Sequence, residues 1–290
     1  MIVDAHVHLW DLERNPQPWI TTEDVPISRT FGPEELQPLL AEAGVDAVVL
    51  VQGACYDADT DYLFELADAH EWIAAVTAWV DLLDRRRIET RLEQLSAGGK
   101  LRAVRHLIQN EADRHWITRR PVLRSLALLE ERGLILEVPA VFPLHLDDVC
   151  TLATRLPGLR IVVDHLGKPP LGTDQMSDWE RQLRAVASHE NVFAKVSGLN
   201  TALRKTNWSA EDLRPAVEIA LDAFGPGRLV CGSDWPVALL NGTFEAVWAA
   251  TRDVVSEVAG AEEARLLGAT AADLYDLTPT LSRRSAGADE

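Results

Sequence analysis

The chemistry of this sequence begins at His6 and His8, two residues apart in Met1-Ile-Val-Asp-Ala-His-Val-His-Leu-Trp10. Side chains alternate faces along a strand, so a pair at this spacing points to one side. From there each imidazole can aim one nitrogen at the same ion or the same substrate atom. The two-residue period puts Ile2 and Asp4 on the face of the histidines and Val3, Ala5, Val7 and Leu9 on the other. An apolar back and an ionisable front suit a barrel strand, packed under helices outside and opening into a site at its carboxyl end.

Other apolar runs also end in polar groups. Residues 46–52 end at Gln52, residues 101–107 carry Arg105 and His106, and residues 134–138 carry Glu137. Residues 160–165 end in Asp164 and His165, residues 192–198 carry Lys195 and Ser197, and residues 228–234 end at Asp234. Burying so many ionisable groups without partners or a solvent-filled site is costly, which points to one shared site. Parity with Ala103 turns Arg105 inward and His106 outward, while parity with Ile161 and Val163 favours His165 over Asp164. Arg105 reads as a substrate contact or as an ion-pair partner of Asp4 or Glu137. Glu137 reads as a metal ligand, a substrate contact or half of an ion pair. Lys195 reads as an inward ammonium near the mouth or as an ion-pair partner. Asp234, within Gly232-Ser-Asp-Trp-Pro236, sets a carboxylate at the very end of an apolar strand.

The elements that must position these groups alternate along the whole chain. Strands are expected over 46–52, 73–80, 101–107, 134–138, 160–165, 192–198 and 228–234, after the first at the amino terminus. Helices are expected between them, beginning at Pro33 and closing at Gly44 in the first case. Eight such repeats argue for an α/β fold, a single-domain (β/α)8 TIM barrel over residues 1–277, with a polar tail at 278–290. A doubly wound open sheet would need a glycine-rich phosphate turn after its first strand, where this sequence has His8-Leu-Trp10. The long segment 11–29, with Trp10 just before it and Trp19 near its middle, is expected to fold over the site.

Bulk properties narrow the function. The 290 residues are 47% hydrophobic and 25% charged, a globular composition long enough for one barrel of roughly 250 residues. A formal charge of −17 argues against nucleic-acid or anionic-membrane partners. Three cysteines in separate apolar settings imply no disulfide framework. No signal peptide or membrane span is read from the sequence, so a cytoplasmic protein is expected. Homo-oligomers are compatible with all of this.

Four stretches carry a family resemblance: Asp4-Ala-His-Val-His-Leu-Trp10, Asp164-His-Leu-Gly-Lys-Pro169, Lys195-Val-Ser-Gly198 and Gly232-Ser-Asp-Trp-Pro-Val237. Together and in this order they resemble the amidohydrolase superfamily, in its amidohydrolase 2 branch of sugar lactonases and 2-pyrone-4,6-dicarboxylate lactonases. The resemblance implies a hydrolase that opens a sugar-acid or carboxylated lactone, its small-molecule substrate. His6 and His8 would be the first-strand ligand pair, His165 the sixth-strand catalytic histidine and Asp234 the eighth-strand catalytic aspartate. One divalent ion, Zn²⁺ by preference, would sit on His6, His8 and either Asp234 or Glu137, though members of the branch differ in whether they use a metal. Arg105, His106, Lys195 and Trp10 would bind substrate. Two departures stand out. No lysine ends the fourth or fifth strand to bridge a second metal, so at most one ion is expected. The closing helix reads Ala269-Thr-Ala-Ala-Asp-Leu-Tyr275 where relatives often carry Asn-Ala-x-Arg-Phe-Tyr. The alternatives are a metal-dependent decarboxylase of the same superfamily and a non-catalytic barrel that binds a sugar acid.

Overall fold

Eight short apolar runs become eight parallel strands in the computed structural model, which describes residues 1–277 apart from Thr22, Asp24 and Arg204. The expected tail at 278–290 lies outside the described residues. The strands are β1 Val3–Val7, β2 Ala47–Val51, β3 Ile73–Ala78 and β4 Leu101–Arg105, then β5 Ile135–Val138, β6 Ile161–Val163, β7 Val192–Val196 and β8 Leu229–Cys231. They pair in chain order. The circle closes where β1 meets the segment after β8, through His8 N to the Trp235 carbonyl at 2.7 Å and Asp234 N to the His6 carbonyl at 2.9 Å. The fold is a (β/α)8 barrel. No helix among the described residues is long and apolar enough to cross a membrane.

The helices wrap the outside: α1 Pro33–Ala43, α2 Asp57–Ala69, α3 Arg85–Ser96, α4 Arg120–Glu131 and α5 Leu146–Arg155, then α6 Met176–Ala187, the single turn α7 Leu199–Ala202, α8 Ala210–Phe224 and α9 Phe244–Ala259. Local signals explain their ends. Pro33 occupies the first turn of α1, where its missing N–H costs nothing, and Gly44 closes it at φ 69°. Asp84 caps α3 by accepting from the Arg86 and Arg87 amides. A last helix, α10 Thr270–Tyr275, turns inward and seals the amino-terminal end of the barrel. Gly268, leading into it, lies so close to Met1 and Ile2 that a Cβ there would collide with backbone. Arg102 and Arg160 reach the carbonyls of Tyr275 and Leu274 and hold the helix in place.

The face assignment expected for β1 needs correction. Val3 and Ala5 pack in the barrel interior with Val49, Val51, Ala103, Ile135, Val162 and Val230. Val7 and Leu9 pack outside with Leu36, Leu40 and Leu63. The pairing register slips between Asp4 and Val7, where β1 holds one residue more than β2. This bulge reverses the phase of the pleat, so His6 and His8 face inward although Val3 and Ala5 do too. Asp4 is thereby turned into the closing seam. Its Oδ1 accepts from the Ser233 amide at 2.8 Å and the His6 amide at 3.2 Å, while Oδ2 has no hydrogen-bond partner among the described residues.

Candidate active site

His6 and His8 reach the centre of the carboxyl end of the barrel. Their Nε2 atoms lie 3.1 Å apart. Asp234 Oδ1 completes a triangle, 3.6 Å from His6 Nε2 and 3.4 Å from His8 Nε2. Asp234 sits three residues past the end of β8 with φ 61°, a left-handed turn that swings its carboxylate back over the barrel. Glycine makes the room. A Cβ on Gly232 would lie 2.7 Å from His6 Cβ, and one on Gly198 would lie 2.6 Å from Asp234 Oδ2 and 2.8 Å from His165 Nδ1.

This triangle fits a divalent ion. Tetrahedral Zn²⁺ with bonds of about 2.0 Å needs ligand atoms about 3.3 Å apart. The three separations bracket that value, and two imidazoles with a carboxylate are a donor set that Zn²⁺ accepts. His8 Nδ1 lies 2.8 Å from the Val51 carbonyl. A carbonyl cannot donate, so His8 Nδ1 carries a proton, and Nε2 is the nitrogen aimed at the triangle. His6, Asp164 and His165 form a second group with ligand atoms close together. Lys195 Nζ, 3.2 Å from His6 Nδ1 and 3.4 Å from Asp164 Oδ1, occupies that side with its own positive charge.

Below the triangle lies a buried charged network. Arg105 Nε meets Asp164 Oδ2 at 3.1 Å, and Arg105 Nη1 donates to the Gln52 carbonyl at 3.3 Å. Lys195 Nζ meets Glu137 Oε2 at 2.7 Å. Glu137 Oε1 accepts from Thr77 at 2.8 Å and from the Tyr275 hydroxyl at 2.7 Å. Both oxygens of Glu137, expected as a metal ligand, are therefore engaged, and neither belongs to the triangle.

Burial and neighbours set the protonation states. Burial alone would push Asp234 up, but His165, His8 and His6 together hold it below the usual carboxylate range. Burial pulls His165 down to about 4, so it is neutral near pH 7, with Nδ1 at 2.9 Å from the Ser197 hydroxyl. Burial, helped by Lys195, also holds His6 well below the ordinary imidazole range.

A cavity of about 150 Å³ opens above the triangle, bordered by His8, Arg105, His165 and Asp234 below and by Trp19, Lys168, Gln109 and Asn110 above. Four expected site residues stand away from this wall. Lys195 and Glu137 are fully buried in the network beneath it. His106 faces the outer layer, stacked on Trp116 at 3.9 Å and bonded to Trp79 and Glu111, so it pins the loop after β4. Trp10 is buried, donating to the Arg29 carbonyl, and Trp19 takes the position at the cavity. Asp164 and His165 were alternatives by strand parity, yet both face the site. Ile161 and Val163 pack outside, and β6 ends before the pair. His165 and Leu166 then take φ 55° and 51°, and this left-handed turn brings His165 round. Lys168, Gln109 and Asn110 escaped the strand-end logic because they lie on loops. Only Lys168 carried a signal, within the Asp164–Pro169 stretch.

Known proteins resemble this chain along most of its length. A family model described as amidohydrolase matches residues 3–277. An L-fucono-1,5-lactonase of Burkholderia ambifaria is 37% identical over 245 residues, 83% of this chain and 82% of that protein. An L-fucono-1,5-lactonase of Burkholderia multivorans is 35% identical over 289 residues, 95% and 96% of the two. A crystal structure of an amidohydrolase from Burkholderia multivorans with bound Zn matches with a TM-score of 0.87 at 33% identity, covering 95% of this chain and 99% of that one. With its barrel, its strand-end histidines and a family match along almost its full length, the chain belongs to the amidohydrolase family.

Proposed function

We propose that this chain hydrolyses the ring ester of a sugar-acid lactone. The observation that carries the reading is the triangle of His6 Nε2, His8 Nε2 and Asp234 Oδ1 at the floor of a cavity of about 150 Å³. A cavity of that size accommodates a single six-membered ring. The relatives named L-fucono-1,5-lactonase support the substrate class. So does the upper wall, where the amides of Gln109 and Asn110 offer donors and acceptors for hydroxyl groups.

Asp234 is ionised throughout the working pH range and stands beside the point where a water must attack the carbonyl carbon. It takes one proton from that water as the new C–O bond forms. It then returns the proton to the ring oxygen as the old C–O bond breaks, leaving a hydroxy acid. Neutral His165, fixed by Ser197, and Arg105, fixed by Asp164, are placed to bind and orient the lactone oxygens. Lys168 faces the same space and attracts the carboxylate that ring opening creates. A single divalent ion on His6, His8 and Asp234, Zn²⁺ by preference, supplies polarisation of the carbonyl when bound.

Proton release on a panel of aldonic-acid 1,5-lactones tests the reading. Stoichiometric acid production with at least one sugar lactone is expected. Silence across the panel, or carbon dioxide release from aromatic acids instead, would sink it.

A further inference from the structure

Asp59 is a fully buried carboxylate that the reaction does not use, and it has no ion-pair partner among the described residues. Its two oxygens take four hydrogen bonds from two separate stretches of chain. Oδ1 accepts from the side-chain amides of Asn15 and Gln17, both at 2.9 Å. Oδ2 accepts from the backbone amides of Gly53 and Ala54, at 3.1 and 3.2 Å. Asp59 is the third residue of α2, where a capping carboxylate would turn back to the Tyr56 amide. It reaches past the helix end instead, to the turn that follows β2.

All four groups donate, so an ionised carboxylate satisfies them together and an amide does not. The two side-chain amides are fixed in this sense. Asn15 Oδ1 accepts from the Asp11 amide at 2.7 Å, and Gln17 Nε2 also donates to the Asn15 carbonyl at 2.9 Å. Burial raises the pKa of Asp59, and the four donors hold that rise back. The two stretches joined here meet again at the rim of the cavity. Trp19 donates from Nε1 to the Gly53 carbonyl at 2.7 Å, and both residues line the cavity. Between them Gln17 packs so closely on Gly53 that a Cβ there would stand 2.5 Å from its Oε1. The near side of the turn is held separately, because Gln52 exchanges hydrogen bonds with Arg105 at 3.2 and 3.3 Å.

We propose that Asp59 is a positioning residue that sets the Trp19 wall of the cavity, and with it the affinity for substrate, by clipping Asn15 and Gln17 to the turn at Gly53. Trp19 makes the contact with the lactone, and Asp59 acts through it. Loosening the clip frees the indole from Gly53, while His6, His8 and Asp234 keep their places on and beside β1 and β8. Binding therefore weakens and the chemical step does not. The kinetic part of the inference rests on lactone hydrolysis, but its first test needs no substrate.

Fluorine NMR of the full chain labelled with 5-fluorotryptophan reads the indoles separately, with Trp19→Phe and Trp179→Phe assigning two of the signals. In Asp59→Asn the Trp19 signal should shift, while that of Trp179, in α6 across the barrel, stays in place. An unmoved Trp19 signal in the folded variant overturns the proposal. On aldonic-acid 1,5-lactones the same variant should raise KM roughly 2- to 13-fold, the range of the indole contact itself, with kcat within about twofold of wild type. A purely structural role would lower Tm and leave KM alone, and that result also overturns it. In Asp59→Asn/Trp19→Leu, KM should match that of Trp19→Leu, because the clip has no indole left to place. Additive effects of the two changes would show that Asp59 does not act through Trp19. Should Asp59→Asn fail to fold, Asn15→Ala removes one donor from the same clip, and its Trp19 signal and KM must move in the same directions or the proposal falls. If no lactone is hydrolysed, the reading of the reaction fails, and the Trp19 signal still decides whether Asp59 places the wall.

Discussion

Asp234 and Glu137 are both buried carboxylates at the centre of one barrel, and they live under opposite conditions. Glu137 is saturated, with Lys195, Tyr275 and Thr77 all within 2.8 Å. Asp234 Oδ1 faces two imidazole nitrogens at 3.4 and 3.6 Å, beneath an open cavity. A saturated carboxylate has nothing left to give a substrate and holds the fold together. An unsaturated one, held ionised by the imidazoles around it, keeps an oxygen directed at whatever enters the site. The difference separates scaffold from chemistry more reliably than position on a strand, since both residues stand where catalytic groups of such barrels are found.

The sharpest way to break this comparison is to neutralise each carboxylate in turn. Asp234→Asn keeps the shape and removes the basicity, so kcat should fall roughly 10²- to 10⁴-fold with Tm nearly unchanged. A folded variant with near wild-type turnover would take the general base out of the mechanism. Glu137→Gln should do the reverse. It leaves the Lys195 ammonium buried beside a neutral amide, and breaking one side of a buried pair costs about 3–5 kcal/mol. A large drop in Tm with Zn²⁺ stoichiometry unchanged at no more than one per chain is expected from calorimetry and elemental analysis. Loss of the ion with stability intact would make Glu137 a ligand after all.

The closing seam sharpens the comparison with a third buried carboxylate, hydrogen-bonded on one oxygen only among the described residues. Burial pushes Asp4 up to about 7, against the hydrogen bonds it accepts. The unfolded chain loses this proton near the ordinary aspartate value of 3.8 while the folded chain keeps it. Between those values the folded state binds more protons, so this group's contribution to stability declines as pH rises towards about 7. Asp4→Asn removes the titration. Its Tm relative to wild type should climb from about pH 5 to about pH 8, whatever the constant offset between the two proteins. A difference that stays flat with pH means that Asp4 is ionised in the folded protein.

How much of this was legible in the sequence follows from which interactions are local. The eight strands were, because apolar runs of the right length alternate with capped helical segments. The histidine pair and Asp234 were, because ionisable residues at the ends of apolar strands demand a common site. Strand parity failed wherever the backbone left its regular path. The extra residue in β1 swaps its faces, and the left-handed turn at His165 brings inward a residue whose parity mates point out. No glycine marks the bulge in β1, and in the second case Gly167, at φ 71°, marks only the far end of the turn. The partners of Glu137 were out of reach for another reason: Tyr275 arrives from 138 residues away, at the end of a helix that plugs the barrel.

The smallest expected effect lies at the rim, where two tryptophans share one segment. Trp10 is buried and bonded to Arg29, while Trp19 lines the cavity and donates to the Gly53 carbonyl at 2.7 Å. The rings meet edge to face with centroids 5.8 Å apart, so Trp10 is the support and Trp19 the contact. An aromatic contact of this kind is worth about 0.5–1.5 kcal/mol, which corresponds to a roughly 2- to 13-fold change in affinity. Trp19→Leu should therefore raise KM within that range and leave kcat close to wild type, because Asp234 and the histidines are untouched. Trp10→Leu should lower Tm first, since it empties a packed position between Trp19 and Phe31. Should Trp19→Leu lower kcat as much as it raises KM, Trp19 would be holding the reacting groups in place, and the division between a floor for chemistry and a rim for binding would have to be redrawn.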